Sequence, residues 1–455
     1  RKGYTMDGCI HWLMSCQPGS AFRQMYDELG CFVGNRLMIL NDYCRFYDEN
    51  SGSSLDFSSD FKRLAASMHR LAPEDTAAID EFIRCCLDLR GFDTGIPEPL
   101  ELMNPGNSLR MMWQMRPLLK YILKYDMTVG EYAQRFQNNF LRSCIRNLFL
   151  PDMPAYFIFV VLGQLLDGQL GCVEGASLRF SDAIARRYQG LGGEISYQAL
   201  VEKIIVHDNQ AVGVELADGS QHFAATIVSA ADAHATIFTM LGGRYVDDSI
   251  RNRFKQWPLF NPIMLLTYGV AREYTGEKPS HFISLKQPLT ILGQEVQSLH
   301  LRIFNYDSTL APAGKTVLQV TVESDYDAWM ELEKDEIAYA AEKARVAAQV
   351  LERLEELYPG TAPKVEVTDV ATPFTFWHYT RNYRASYEGW LMTKTAVQTM
   401  LPKTLPGLSN FYMAGQWVEP GGGIPPVLYS GRNVVKILCK KEGRPFRTMM
   451  PTIKI

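Results

Sequence analysis

Hydrophobic positions along the chain change their period several times, and each change predicts an element. From Ser20 to Asp93 the apolar spacing is mostly helical. Within it, Pro73 to Leu89 carries proline at its first turn, acids just after, and Ile79, Phe82, Ile83 and Leu87 on one face, which predicts an amphipathic helix. The segment IPEPLELMNPGN (Ile96 to Asn107) breaks the pattern and reads as a loop. Helical spacing resumes at Pro117 and runs to about Leu170. Between Gly192 and Ser229 the pattern shortens into strands: EISY, KIIVHD, AVGVELADGS and QHFAATIVSA. Asp208-Asn209 and Asp218-Gly219 supply the tight turns between them. Ala225 to Val228 is uniformly apolar, as a buried parallel strand would be.

Further strands are expected at IMLLTYGVA, SLHLRIF and TVLQVTVES between Pro262 and Glu323. Glu331 to Tyr358, rich in Ala, Glu and Leu, predicts one long helix stopped by Pro359-Gly360. A strand from Asn410 to Ala414, a glycine-rich loop and a helix to about Lys441 close the pattern. The mixture predicts an α/β or α+β chain of two intertwined lobes.

Composition narrows the class. The chain has 455 residues, 47% apolar and 21% charged, enough for a large core in two or three domains. A formal net charge of −4 argues against a nucleic-acid partner held by a basic surface. The longest apolar run, Ala155 to Leu166, is too short to span a bilayer and is broken by Gly163 and Gln164. Nine cysteines without a Cys-x-x-Cys pair, and no visible targeting peptide, lead to the expectation of a soluble cytoplasmic protein. There is no GxxxxGK[ST] loop, HExxH or GxSxG elbow, and no histidines at metal-ligand spacing, so metal and serine hydrolysis are poor fits.

The segment FYMAGQWVEPGGGIPPVLYSGRNVVKIL (Phe411 to Leu438) carries the chemistry. Glycines 421 to 423 remove every Cβ from the turn between strand and helix, so a flat ligand or a phosphate can approach the backbone closely. Pro425 and Pro426 suit a first helical turn, and the helix dipole in front of them favours negative charge, such as the O2 edge of a reduced flavin. A tight strand-to-helix turn in an α/β core fits the same residues.

AGQWVEPGGGIPPVLYSGR resembles the C-terminal flavin motif of the phytoene desaturase, carotenoid isomerase and retinol saturase group, within the wider flavin amine-oxidase fold. RYQGLGGEISYQALVEKIIV is similar to that group's helix, Gly-Gly turn and strand leading to an adenine-contacting residue, here Val201. GVELADGSQHFAATIVSAADAHAT resembles its meander and return strand. DVATPFTFWHYTRNYRASYEGW resembles the segment before the last flavin strand, and GYTMDGCIHWL the early segment near the flavin. One part differs. The group opens with a strand, a GxGxxG turn and a helix, and this chain contains no GxGxxG. Gly3 already matches beyond that turn, so the given chain lacks an N-terminal segment or the natural protein has lost it.

The resemblance implies a two-lobed flavoprotein whose first βαβ unit is missing. The incomplete FAD-binding lobe would comprise residues 1–20, 176–242 and 400–442, and the substrate lobe 21–175 and 243–399. It implies FAD contacts at Val201, Gly415, Gln416, Gly421, Gly422, Gly423 and Ile424. The implied activity is FAD-dependent desaturation, saturation or isomerisation of an apolar polyene or isoprenoid, by hydride exchange with flavin N5. His11, His378 and Glu419 are the candidate proton-handling groups, with Tyr379 and Arg381 beside His378; each also reads as a packing or surface residue. Arg116, Lys120 and Lys124, recurring every four residues beside Trp113, Leu119 and Leu123, suit a helix resting on an anionic bilayer, or equally a solvated face. Two other readings stay open. Rab escort proteins and GDP-dissociation inhibitors share the fold as prenyl- or protein-binding proteins, and amine oxidases share it as enzymes.

Overall fold

The computed structural model describes residues 1–93 and 95–451. Its largest element is a seven-stranded sheet in the order Val365–Ala371, Ile263–Val270, Thr316–Glu323, Gln294–Ile303, Ser280–Ile291, Asp42–Asp48, Ser54–Ser58. Neighbours are antiparallel except for one parallel contact, between Ser280–Ile291 and Asp42–Asp48. All seven strands come from residues 42–58 and 263–371.

Strand alternation gives this sheet two different faces. Leu266 and Tyr268, Leu318 and Val320, and Leu301 and Ile303 pack against Val346, Val350 and Leu354 of the helix Glu336–Leu357. The other face carries Thr267, Gln319 and Arg302 and meets the N-terminal segment, where Gln319 Nε2 donates to the Asp7 carbonyl at 2.7 Å. A second core lies among helices. Phe82 of Thr76–Asp88, Tyr121 of Pro105–Lys124 and Tyr132 pack edge to face or tilted on Phe159 of Tyr156–Leu166 at 5.3 to 6.2 Å.

The remaining sheets are small. Val201–His207, Gln210–Leu216 and Gln221–Phe223 form the expected meander, with Asp208 and Asn209 both at positive φ in the first turn. Ile227–Ser229 runs parallel to Phe411–Met413, and Ala414 extends the ladder by donating to Ser229 O at 2.9 Å.

Several expectations need correction. The Ser20–Asp93 region contains three strands: Asp42–Asp48 and Ser54–Ser58 form a hairpin, and Leu37–Ile39 pairs with the distant strand Gly171–Val173, a partner that local helical spacing does not reveal. The long helix is two, Tyr326–Leu332 and Glu336–Leu357. Asp335 caps the second by accepting from the N–H groups of Ile337 and Ala338, which starts a new helix there. Asn104 likewise caps a helix from Pro105, so Pro117 lies inside Pro105–Lys124 rather than at its start. EISY is not a strand. The apolar run ending at Val228 is a parallel strand, but it is not buried on both faces, for Val228 is 45% exposed. Among the described residues no helix is long and apolar enough to cross a membrane.

Candidate active site

Three glycines and two prolines shape the junction between the Phe411–Met413 strand and the helix Ile424–Lys441. The strand end is pinned to the helix, since Gly415 N–H donates to Ser430 Oγ at 2.6 Å. Gly422 and Gly423 have φ of 64° and 75°, where a side chain is strained. No side chain caps the helix. Pro425 and Pro426 carry no N–H, so Gly423 and Ile424 provide the remaining donors of its first turn.

Glu388 lies across this turn. A Cβ built on Gly422 would stand 2.5 Å from Glu388 Oε2, and the Gly423 N–H bonds to the Glu388 carboxyl. Burial pushes that carboxyl up to about 7, against the one favourable amide contact. Gln416, on the other limb of the loop, touches the turn residue Gly389 and the cavity.

The glycine turn opens onto a cavity of about 2430 Å³. Ligand pockets ordinarily hold roughly 300–1,000 Å³, so there is room for a cofactor ring and a long second ligand together. Trp12, Tyr43, Phe46, Phe149, Phe157 and Phe282 make much of the wall aromatic. A polar row crosses the opposite sheet. Register places Ser280 beside Arg302, Arg302 beside Gln319 and Gln319 beside Thr267, across four strands. His300, two residues before Arg302, stacks on Phe282 at 4.4 Å and shares a 2.8 Å hydrogen bond with Ser280 Oγ. His11 meets His300 edge to face at 5.7 Å. Desolvation and the nearby Arg302 charge pull both imidazoles down, His300 to about 3, so both are neutral.

The candidate residues therefore separate. Gly421, Gly422, Gly423, Ile424, Gln416, His11 and Glu419 all line the cavity, whereas Gly415, bonded to Ser430, does not. Glu419, however, is committed to an ion pair, with its Oε1 2.5 Å from Nζ of Lys403, whose side chain is 2% exposed. Lys403 Nζ also donates to the carbonyls of Leu401 and Val418, which makes the pair a staple for the loop. His378 does not line this cavity. It stands exposed on the helix Pro373–Thr380, against Phe374 and Tyr379 and outside the cavity wall. Val201 begins the meander, opposite Leu216, also away from the cavity. Sequence reasoning missed Glu388, His300, Arg302 and Lys403. For His300 and Arg302 a signal existed: Ser298, His300 and Arg302 alternate with Leu299, Leu301 and Ile303, so one face of that strand is polar.

A planar, electron-accepting ring fits what the described residues offer. Gly423 leaves its path clear, with nothing nearer than 4.0 Å to where a Cβ would stand, while Glu388 and Pro426 occupy that space at Gly422 and Gly421; the Ile424 N–H and helix dipole would face its polar edge, and Gln416 could bond a polyol chain.

Comparison with known proteins agrees with this geometry. The sequence model for flavin containing amine oxidoreductases matches residues 2–439. A chloroplastic prolycopene isomerase of Arabidopsis thaliana is 30% identical over 243 residues, 53% of this chain and 40% of that protein. The chain thus spans less than half the length of that curated relative. A lycopene-forming phytoene desaturase of Pseudescherichia vulneris is 23% identical over 432 residues, covering 89% of this chain and 84% of the relative. In fold, the chain is similar to an oxidoreductase from Methanosarcina mazei, with a TM-score of 0.55 at 16% identity over 96% of this chain and 89% of the other. The chain belongs to the family of flavin containing amine oxidoreductases.

Proposed function

We propose that the protein is an FAD-dependent oxidoreductase acting on carbon–carbon bonds of an apolar polyene, by desaturation, saturation or isomerisation. The observation that carries this reading is the bare glycine turn, Gly421 to Gly423, opening onto a large aromatic cavity. Gly415, Gln416, Gly421, Gly422, Gly423 and Ile424 would hold the isoalloxazine and ribityl parts. Bound there, FAD supplies the two-electron hydride chemistry that amino-acid side chains lack. The relatives named as phytoene desaturase and prolycopene isomerase support a carotenoid-like substrate.

The chain's own groups have definite tasks in this reading. Aromatic walls exclude water and align a stiff conjugated chain. Glu388 keeps its proton up to about pH 7 and stands beside the glycine turn, placed to give a proton to the ligand or take one from it. Neutral His11 and His300 line the same space without adding charge.

Access runs beside the helix Pro105–Lys124. Met111, Gln114, Met115 and Leu118 on one side line the cavity. Leu109, Met112, Trp113, Leu119 and Leu123 on the other are exposed, with Arg110, Arg116, Lys120 and Lys124 among them. An anionic bilayer matches this face, so an apolar substrate would pass from the lipid around one helix into the cavity.

The test is anaerobic incubation of the FAD-loaded protein with carotenes differing in desaturation and geometry, once with a quinone as electron acceptor and once with the flavin reduced by dithionite, followed by chromatography. Change in the number or configuration of double bonds supports the reading. Unchanged carotenes alongside oxidation of a polyamine would replace it with amine oxidation.

A further inference from the structure

Arg302 is a buried cation with a donor to spare. It is 4% exposed, it lines the cavity, and its Nη1 has no hydrogen-bond partner among the described residues. Its other contacts are with neutral groups. Nη2 donates to Tyr306 Oη at 3.0 Å, and the guanidinium lies 4.5 Å over the Phe304 ring.

Among the described residues no carboxylate pairs with it, although two are close enough to influence the same neighbours. Asp7 accepts instead from Ser177 Oγ at 2.5 Å and from Cys9 N–H at 3.3 Å. Asp307 accepts from Gly175 N–H at 2.8 Å and from the N–H and hydroxyl of Thr309. His11 and His300, which feel the Arg302 charge, are neutral and cannot balance it.

A guanidinium withdrawn from water without a counter-ion is costly, and natural cores tolerate it where a ligand completes the pair. Its free N–H group matches a carboxylate oxygen better than any other common anchor of that size. Tyr306 adds a second donor. Its oxygen already accepts from Arg302, burial keeps its proton on, and the Cys172 sulfur beside it is a weak acceptor that a carboxylate oxygen would displace. Beyond these two donors the walls turn aromatic, with Phe282, Trp12 and Tyr43.

We infer that Arg302 and Tyr306 form an anchor for a carboxylate at the end of an apolar, conjugated ligand, so that the substrate class is a polyenoic or isoprenoid acid rather than a plain hydrocarbon. This deepens the proposed function and rests on its assignment of the cavity to an apolar polyene. It fixes which way the ligand enters: carboxylate against the sheet, hydrocarbon tail along the aromatic wall.

The experiment uses the FAD-loaded full chain and three matched probes, all-trans-retinoate, its methyl ester and retinol, with binding followed by quenching of tryptophan fluorescence. Retinoate should bind about tenfold or more tightly than the ester or the alcohol, as a charge-assisted hydrogen bond implies. Arg302→Gln should bring retinoate down to the level of retinol, with retinol binding and flavin absorbance kept, and Arg302→Lys should restore part of the preference. Equal binding of acid and ester by the unaltered protein overturns the anchor without any variant, and leaves the proposed function standing if retinol and flavin still bind. A preference that survives in Arg302→Gln also overturns it. So does loss of flavin from that variant, which would give the free N–H to a flavin carbonyl. Failure of all three probes to bind would overturn both readings.

Discussion

Glu388 fills the space that a side chain at Gly422 would need: a Cβ there would lie 2.5 Å from Oε2. Residue 422 is also left-handed, at φ 64°. Gly422→Ala should therefore both strain the turn, at roughly 1–2 kcal/mol, and push Glu388 into the space in front of it. The flavin content of the purified variant, read from the ratio of visible to ultraviolet absorbance, should fall more than tenfold while the fold persists.

Protonation of Glu388 should appear in the stability of the protein. Its carboxyl is raised from 4.5 to about 7. Between those values the folded protein holds a proton that the unfolded chain has released, so its contribution falls as pH rises through the window and levels off above it. The full effect is of the order of 3 kcal/mol. Glu388→Gln, which cannot ionise, should flatten this part of the stability profile measured by denaturant titration at pH 4.5 to 8.

The pair Lys403–Glu419 is expected to be structural. Lys403→Met leaves a buried carboxylate without its partner and should cost about 3–5 kcal/mol, read from the denaturation midpoint. Lys403→Met combined with Glu419→Gln should recover much of that loss. A single Glu419→Gln that abolishes turnover without moving the midpoint would return Glu419 to the catalytic candidates.

Exposed residues of the Pro105–Lys124 helix should control lipid binding and little else. Trp113 and Leu123 are 68% and 79% exposed. The variant Trp113→Glu with Leu123→Glu should lose co-sedimentation with vesicles containing phosphatidylserine at an unchanged melting temperature. Retained sedimentation would place the contact elsewhere.

Much of the fold was legible because it is written locally. The turn at Asp208-Asn209, the mostly apolar strand Ile263–Val270 and the glycine run before Pro425 each announce themselves within a few residues. The site was legible only in part. Gly421 to Ile424 needed no distant partner, whereas Arg302 gains its meaning from Gln319 and Thr267 in neighbouring strands and from the N-terminal segment that Gln319 holds. Glu388 was missed because nothing near it in sequence predicts that a loop more than thirty residues upstream of the glycine turn will pack on it. His378 reads from sequence equally as a site or a surface residue, and only the packing puts it on an exposed helix face.

The most direct measurement is the visible spectrum of the protein, expressed from its complete coding sequence and equilibrated with FAD, after removal of unbound cofactor. A glycine turn that seats an isoalloxazine predicts close to one flavin per chain, with the band structure of a ring held away from water. Colourless protein that is otherwise folded would contradict it.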